Sequence, residues 1–495
     1  MSSLLQSSHG LPMEEVVPRA ASVQGLTRSS ILTARRRVRA APQTGINYGA
    51  SGASGGNQQI QFVIADQGGL LDPASVAIVY NMRTSGASSS EVPDDGHPFT
   101  RMQISLNGQM LEDNAQAAKA TNAEVRLASS KAWYETSGSF CGFELLNNGL
   151  NTGPITASPT NLVIQAYNGA WCDVSGNVNA ISARTASAAT TANPLAGEQR
   201  SLPLGLISGV GRMAQYLPLS VLGELNLTLY TGSRQEVMFQ VNSTQTDGDF
   251  SLGGVYIEYD IVVGHPEYMN LLARVANDPS EQGLVMPFES TIMTSSGTIA
   301  ASSSALVENS IVVSRATNHL LRTYLLQQQT SLLASTTCPS QSMFSHFQTN
   351  KVQWRVGSMY YPQIPAEGDA SMWNMTALAY GSASLNEAAS VINRVSWAQT
   401  TNVATPSTAA QASSGYEGTQ KFNFSDSFIP AYGFQNVKGD AEPLAVDGIS
   451  LSGASGSQLV CVLTNAPAVQ VTPTLGLVAL RFIQAQNGSV RVQGA

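Results

Sequence analysis

Residues able to do acid–base, nucleophilic or metal chemistry are few and scattered in this 495-residue chain. Its five histidines, His9, His97, His265, His319 and His346, include no HxH or HExxH pair, the spacings that bring two imidazoles to one metal ion. The four cysteines, Cys141, Cys172, Cys338 and Cys461, lie far apart with no CxxC pair, so buried free thiols are expected rather than a zinc site or disulfide framework. There is no P-loop and no strand–GxGxxG–helix unit to cradle a phosphate. No metal, cofactor or catalytic set is therefore expected. Glu258 and Asp260 share one face of a strand, as the paired carboxylates of a glycosidase can; a solvated strand face accounts for them equally. Asp94-Asp95 and Glu14-Glu15 are expected to be solvated loop carboxylates. The sharpest charge feature is Arg35, Arg36, Arg37 and Arg39, whose guanidiniums suit the phosphates of nucleic acid or of lipid headgroups. Trp133-Tyr134, Trp354 and Tyr360-Tyr361 lack interleaved basic residues, so packing is expected of them rather than base stacking.

That basic cluster stands against an acidic background. With 33 Asp+Glu and 25 Lys+Arg the formal charge is −8, which argues against a generally cationic nucleic-acid binder. Charged residues are only 12%, about half the ~25% usual for soluble proteins, while the hydrophobic fraction is an ordinary 43%. Ser, Thr, Ala, Asn and Gln take the place of charge. Such a neutral polar surface tolerates burial in large protein contacts, which hints at assembly. The N-terminus has no basic stretch followed by an apolar core, and no run of eighteen apolar residues occurs, so neither a signal peptide nor a membrane span is expected.

The elements that must position these residues read as short strands. Residues 1–55 look like a basic, partly flexible N-terminal arm, interrupted by Pro12, Pro18 and Pro42. Ile60, Phe62 and Ile64 then alternate with polar or small residues, the period-2 pattern of a half-buried strand. Val76 to Met82 makes a second strand, and Met102 to Leu106 a third, ending at the hairpin signal Asn107-Gly108. Asp113 has the character of an N-cap for a short helix to about Leu127. Strands follow at Leu225–Leu229 and Val255–Val263, then a helix begins at Pro266. The second half repeats the plan with strands at 311–314, 320–326, 351–356, 449–451, 459–463, 477–483 and 490–492. Each half holds one long Ser/Ala/Thr/Gly-rich excursion, at about 140–200 and 380–420. Many short strands with Gly/Asn turns and little helical periodicity predict tandem β-sandwiches.

Several segments, in order, resemble double jelly-roll major capsid proteins of polinton-like viruses, adintoviruses and virophages. They are Gln61–Asp66 with the turn Gly69-Leu70-Leu71-Asp72-Pro73, the hairpin Met102–Glu112, and Val255–Val263 with His265-Pro266. Trp354–Pro362, Val446–Leu451 and the terminal 477–492 hairpin continue the series. The resemblance implies an all-β chain of two tandem eight-stranded jelly rolls with short connecting helices and long loops. The implied layout is an arm at 1–55, a first jelly roll at 56–264, a connecting helix or linker at 265–283, and a second jelly roll at 284–495. It implies a non-enzymatic major capsid protein whose homotrimers form pseudo-hexagonal capsomers of an icosahedral DNA-virus shell, assembled in host cytoplasm or nucleus. Expected partners are neighbouring capsomers, minor or penton proteins and, through Arg35, Arg36, Arg37 and Arg39 on the inner face, a minor protein, internal membrane or genome. Removing residues 1–45 is expected to leave trimers intact. The two excursions are expected to form outer towers. A carbohydrate-binding or hydrolytic tandem sandwich using Glu258 and Asp260 is the alternative, with a viral spike or fibre as a third reading.

Overall fold

The computed structural model describes residues 32–45, 48–49, 58–85, 91–143, 198–240, 249–264, 266–277, 283–295, 297–302, 305–313, 315–333, 340–380, 390–392, 397, 427–434, 448–451, 458–486 and 489–493. The excursions expected at 140–200 and 380–420 lie almost wholly outside them, as do Cys172, Cys338, Glu14 and Glu15.

Alternation builds the first half. β1 (Leu32–Ala40), β2 (Gln59–Ile64), β3 (Leu70–Ser85), β4 (Phe99–Leu106), β5 (Gln109–Asn114), β6 (Glu198–Pro203), β7 (Leu225–Thr231) and β8 (Asp249–Gly264) form two sheets. One sheet runs β1-β8-β3-β6 and the other β2-β7-β4-β5. Ile60, Phe62 and Ile64 face Val76, Ile78 and Tyr80 in one core, all of them fully buried. The β4–β5 hairpin turns at Asn107 and Gly108, with φ of 49° and 78°, the left-handed geometry the Asn-Gly pair tolerates.

Strands β9 (Leu284–Ser295), β10 (Val307–Val313), β11 (Thr317–Gln329), β12 (Lys351–Val356), β13 (Met359–Glu367), β14 (Ala431–Gly433), β15 (Leu459–Asn465) and β16 (Val471–Gln486) build the second half. Their sheets run β9-β16-β11-β14 and β10-β15-β12-β13. Adding eight to each label of the first half reproduces the second half's sheet orders. Each fifth strand is followed by a helix, α1 (Ala117–Ala128) after β5 and α3 (Asp369–Ala379) after β13. Between the halves, α2 (Pro266–Asn277) opens on its proline and buries Tyr268, Leu272 and Ala276 against the first core.

Three local expectations change. The expected arm contains a strand of the first sandwich: β1 pairs antiparallel with β8, Arg37 opposite Asp260 and Arg39 opposite Glu258. Asp113 is not a cap but a β5 residue, its carboxylate 2.8 Å from the Arg101 guanidinium across the hairpin. α1 instead starts after Gln116, whose N–H is held by the Asn114 side chain at 3.0 Å. Asp94 and Asp95 are buried rather than solvated, because the second sandwich closes over them.

Candidate functional site

Among the described residues, two places gather several charged side chains each: the outer face of β1 and the joint between the sandwiches. On β1 the period of two puts Arg35, Arg37 and Arg39 on one face, while Val38 and Ala40 turn to the core. Neighbouring strands present three carboxylates to the three guanidiniums. Arg35 lies 2.6 Å from Asp72 and 2.7 Å from Asp260; Arg37 and Arg39 reach the two oxygens of Glu258 at 2.9 and 2.8 Å. Arg39 also stacks 4.0 Å over the Tyr256 ring. Arg36 is exposed and donates to the Gln67 carbonyl. The hydrogen bonds from Arg39, then Arg37, hold the Glu258 carboxyl below the usual range. A general acid of a glycosidase needs the opposite shift. The arginine side chains remain 54–63% exposed, so the ladder is a neutralised but open surface.

The joint is built around α1. Its small side chains, Ala117, Ala118, Ala120 and Ala123, let strands approach from both sides. Ala117 and Val125 belong to the first core, Ala123 and Leu127 to the second. At one end of the joint Arg126 and Asp95, both side chains fully buried, meet at 3.2 Å. Arg126 also donates to Ser427 Oγ at 2.9 Å, and Asn122 donates to the Gln341 carbonyl at 3.2 Å. Asp94 accepts from the Gln341 N–H at 2.8 Å and from the Ser342 hydroxyl. Burial pushes its carboxyl up to about 7 despite those bonds.

At the other end three carboxylates meet three guanidiniums. Glu124 of α1 lies 2.7 Å from Arg212 and accepts from Thr291 of β9 at 2.5 Å. Glu289 of β9 lies 2.5 Å from Arg322 of β11. Arg481 of β16 donates to the Leu111 carbonyl of β5. Glu112 beside it accepts from the Ser208 hydroxyl and the Gly209 N–H, and burial pushes it up to about 7. Gly209 presses on the Glu289 backbone: a Cβ there would stand 1.3 Å from that carbonyl oxygen. The backbone of one sandwich thus touches that of the other with no space for a side chain.

Two sandwiches of matching strand order in one chain have counterparts among solved structures. This chain has the double jelly-roll fold of viral major capsid proteins. The structure of the PBCV-1 virus capsid superposes with a TM-score of 0.52 at 10% identity, covering 95% of this chain and 98% of that one. The cryo-EM structure of the Sputnik virophage gives 0.50 at 12% identity over 94% and 89%. The PBCV-1 VP54 crystal structure, fitted into a reconstruction of Sputnik, gives 0.50 at 9% over 95% and 98%. At such identities the likeness is one of fold. No protein-family model matches the sequence, and no curated protein matches it.

Within this double jelly roll, the site residues read from the sequence are brought together differently than expected. Arg35, Arg37 and Arg39 of the arm meet Glu258 and Asp260 of the alternative reading, as partners in one ladder. Of the aromatics, Trp354 and Tyr134 are buried and Tyr361 packs on Phe434 with ring centroids 5.4 Å apart, whereas Tyr360 is 42% exposed. Sequence reasoning missed the joint residues Asp94, Asp95, Glu112, Asn122 and Arg126. The signal for Asn122 and Arg126 was an alanine-rich helix bearing Asn, Glu and Arg, small enough to lie between two cores; nothing in the local pattern marked Asp94, Asp95 and Glu112.

Proposed function

We propose that this chain is a major capsid protein whose homotrimers form pseudo-hexagonal capsomers tiling an icosahedral shell. The observation that carries the reading is the repeat of both sheet orders on adding eight to the strand labels: two wedges of one topology, locked in a single chain by a buried, ion-paired joint. A double wedge so joined is a building block, and three of them supply six wedges around one axis. Permanent interfaces of that kind bury roughly 2,000–5,000 Å², and a surface short of charge reduces the desolvation cost. The protein's place on this reading is the virion shell, after assembly in the host cytoplasm or nucleus, with neighbouring capsomers and minor or penton proteins as further partners.

The role is structural, with no reaction to perform. Glu258 and Asp260, the carboxylates of the carbohydrate-active alternative, are committed to guanidiniums on an open sheet face, which favours the capsid reading. The same ladder bears on the inner-face role of Arg35, Arg36, Arg37 and Arg39. A genome or lipid phosphate would compete with three carboxylates for Arg35, Arg37 and Arg39, so a protein surface of mixed charge is the better match. Light scattering on purified protein tests the reading: three times 52.1 kDa is expected, with squat, near-hexagonal discs in negative stain. A monomer at micromolar concentration, or an elongated particle, overturns it.

A further inference from the structure

The second sheet of each sandwich carries an outward row of side chains at the same place, and the two rows differ. In the first sandwich, pairing sets Val63, Asn226, Ser105 and Met110 side by side across β2, β7, β4 and β5. Counted back from the hairpins at Asn107-Gly108 and Gly357-Ser358, the same row in the second sandwich is Val312, Val460, Arg355 and Tyr360, across β10, β15, β12 and β13. These side chains face outward, since Ile311, Cys461 and Trp354 beside them belong to the core. A polar Asn-Ser centre has become Val-Arg.

That arginine lacks an acid. On the first sandwich the outward Arg101 has Nε and Nη2 bonded to Asp113 at 2.9 and 2.8 Å. Arg355 lies 6.0 Å from the Tyr360 ring centroid and makes no ion pair among the described residues. Its Nε is buried with no hydrogen-bond partner, which costs free energy. Glu308 and Glu367 belong to the row of Lys351, about 13 Å away along the strand. Around Arg355 the surface is apolar. Val312 and Tyr360 are each 42% exposed, Ile364 in the β13 bulge is 82% exposed, and Val460 and Val462 are buried between them. This face takes no part in the joint: its first-sandwich equivalent leaves Arg101 and Asp113 42% and 37% exposed.

A carboxylate flanked by apolar side chains on an extended segment fits such a row. Residues 1–31, outside the described residues, contain one in Met13-Glu14-Glu15-Val16-Val17. Strand alternation puts Met13, Glu15 and Val17 on one side. From Glu15 to Leu32, where β1 begins, the chain can span up to about 60 Å. Asp440 and Glu442 are acidic too, but 435–447 joins β14 to Ile449–Leu451, both paired with β11 on the opposite sheet. We propose that the outward face of β10, β15, β12 and β13 docks the chain's own N-terminal segment, with Glu15 on the Arg355 guanidinium and Met13 and Val17 on Val460 and Tyr360. The guanidinium gains the charge-assisted bonds it lacks, the apolar row loses water, and the tether keeps the segment at high local concentration. No second copy is required.

The test uses the full chain with the photo-crosslinker p-benzoylphenylalanine in place of Pro18. Irradiation is expected to join residue 18 to β10, β13 or β15, mapped by mass spectrometry in a band of single-chain mass. Arg355→Glu or Glu15→Arg is expected to cut that yield about tenfold by setting like charges together. The two changes combined restore it, and Arg101→Gln leaves it unchanged. E15R alters only the segment, so its effect does not depend on how the sandwich tolerates a change at Arg355; far-UV dichroism checks the fold of R355E. Cross-links mapped elsewhere, a band of twice the chain mass, unchanged yield in E15R, an equal loss in R101Q, or a double variant no better than either single one overturns the docking.

Discussion

The two helices that follow the fifth strand of each sandwich, α1 and α3, have the same place in the topology and opposite surroundings. α1 is enclosed between two cores and carries a buried Arg126–Asp95 pair; α3 buries Met372 and Met375 on one side and leaves Leu378 in water. The first-sheet edge strands show the reverse contrast. β1 displays its charges to solvent, whereas β9 has Glu289 pressed against Gly209 and paired with Arg322. A repeat folded once thus has one complete joint and one half-open copy at each end. The difference is one of neighbours, not of topology.

The strongest way to break the contrast is at Arg126. Arg126→Ala takes the guanidinium away from the fully buried Asp95 carboxylate and should cost about 3–5 kcal/mol, read as a lowered denaturant midpoint; Leu378→Ala, its α3 counterpart, should cost under about 0.5 kcal/mol in dissociated chains. Next is Gly209→Ala. Its methyl has nowhere to go beside the Glu289 carbonyl, and overpacking of this kind costs about 1–3 kcal/mol or more. Proteolysis that separates the halves would report the opened joint.

Protonation sharpens the comparison further. Asp94 and Glu112, at the joint, are pushed up to about 7 by burial, from ordinary values of 3.8 and 4.5. The folded chain therefore holds more protons than the unfolded one between about pH 4 and 7. Stability supplied by these groups is present at the low end and falls as pH rises to about 7, by up to about 1.4 kcal/mol per pH unit for each group. Asp94→Asn should flatten that slope in denaturant titrations at pH 5, 6 and 7. Glu258, held low by Arg39, has the opposite sign, its contribution lost as pH falls below the ordinary carboxylate range. The smallest effect belongs to the open ladder: Arg37→Ala should cost no more than about 1 kcal/mol, shrinking with added salt. A larger loss, insensitive to salt, would show that the ladder is not the solvated surface described.

The same residues show how much was legible beforehand. β2, β7, Met102–Leu106 of β4 and Val255–Ile261 of β8 alternate and were read from period alone, because one face of each meets the core and the other is more open. Among the strands passed over are β1, β6, β9 and β14, the two edges of each first sheet, and β13, where Tyr361-Pro362 reads as a turn. In β1 the outer face is arginine, which reads as an arm; in β9 Pro287 and Thr291 blur an alternation that Leu284, Met286 and Phe288 do carry. Because β1 is a strand of the sandwich, removal of residues 1–45 would strip a sheet edge and expose β8. Removing residues 1–31, which leaves β1 whole, is the cleaner test of the arm.

Period-two patterning, turn residues and the order of segments determined by themselves that this chain folds as two all-β sandwiches in tandem, since burial of alternate side chains is a local property of each strand. Which charges are buried was decided only by the tertiary structure. Asp94, Glu112 and Arg126 lie in polar stretches like any other, and only the closure of one sandwich on the other removes water from around them. Likewise Arg35, Arg37 and Arg39 resemble a free cationic tail until β8 and β3, more than thirty residues distant, bring Glu258, Asp260 and Asp72 alongside. Charge state depends on neighbours in space, and a one-dimensional pattern does not carry them.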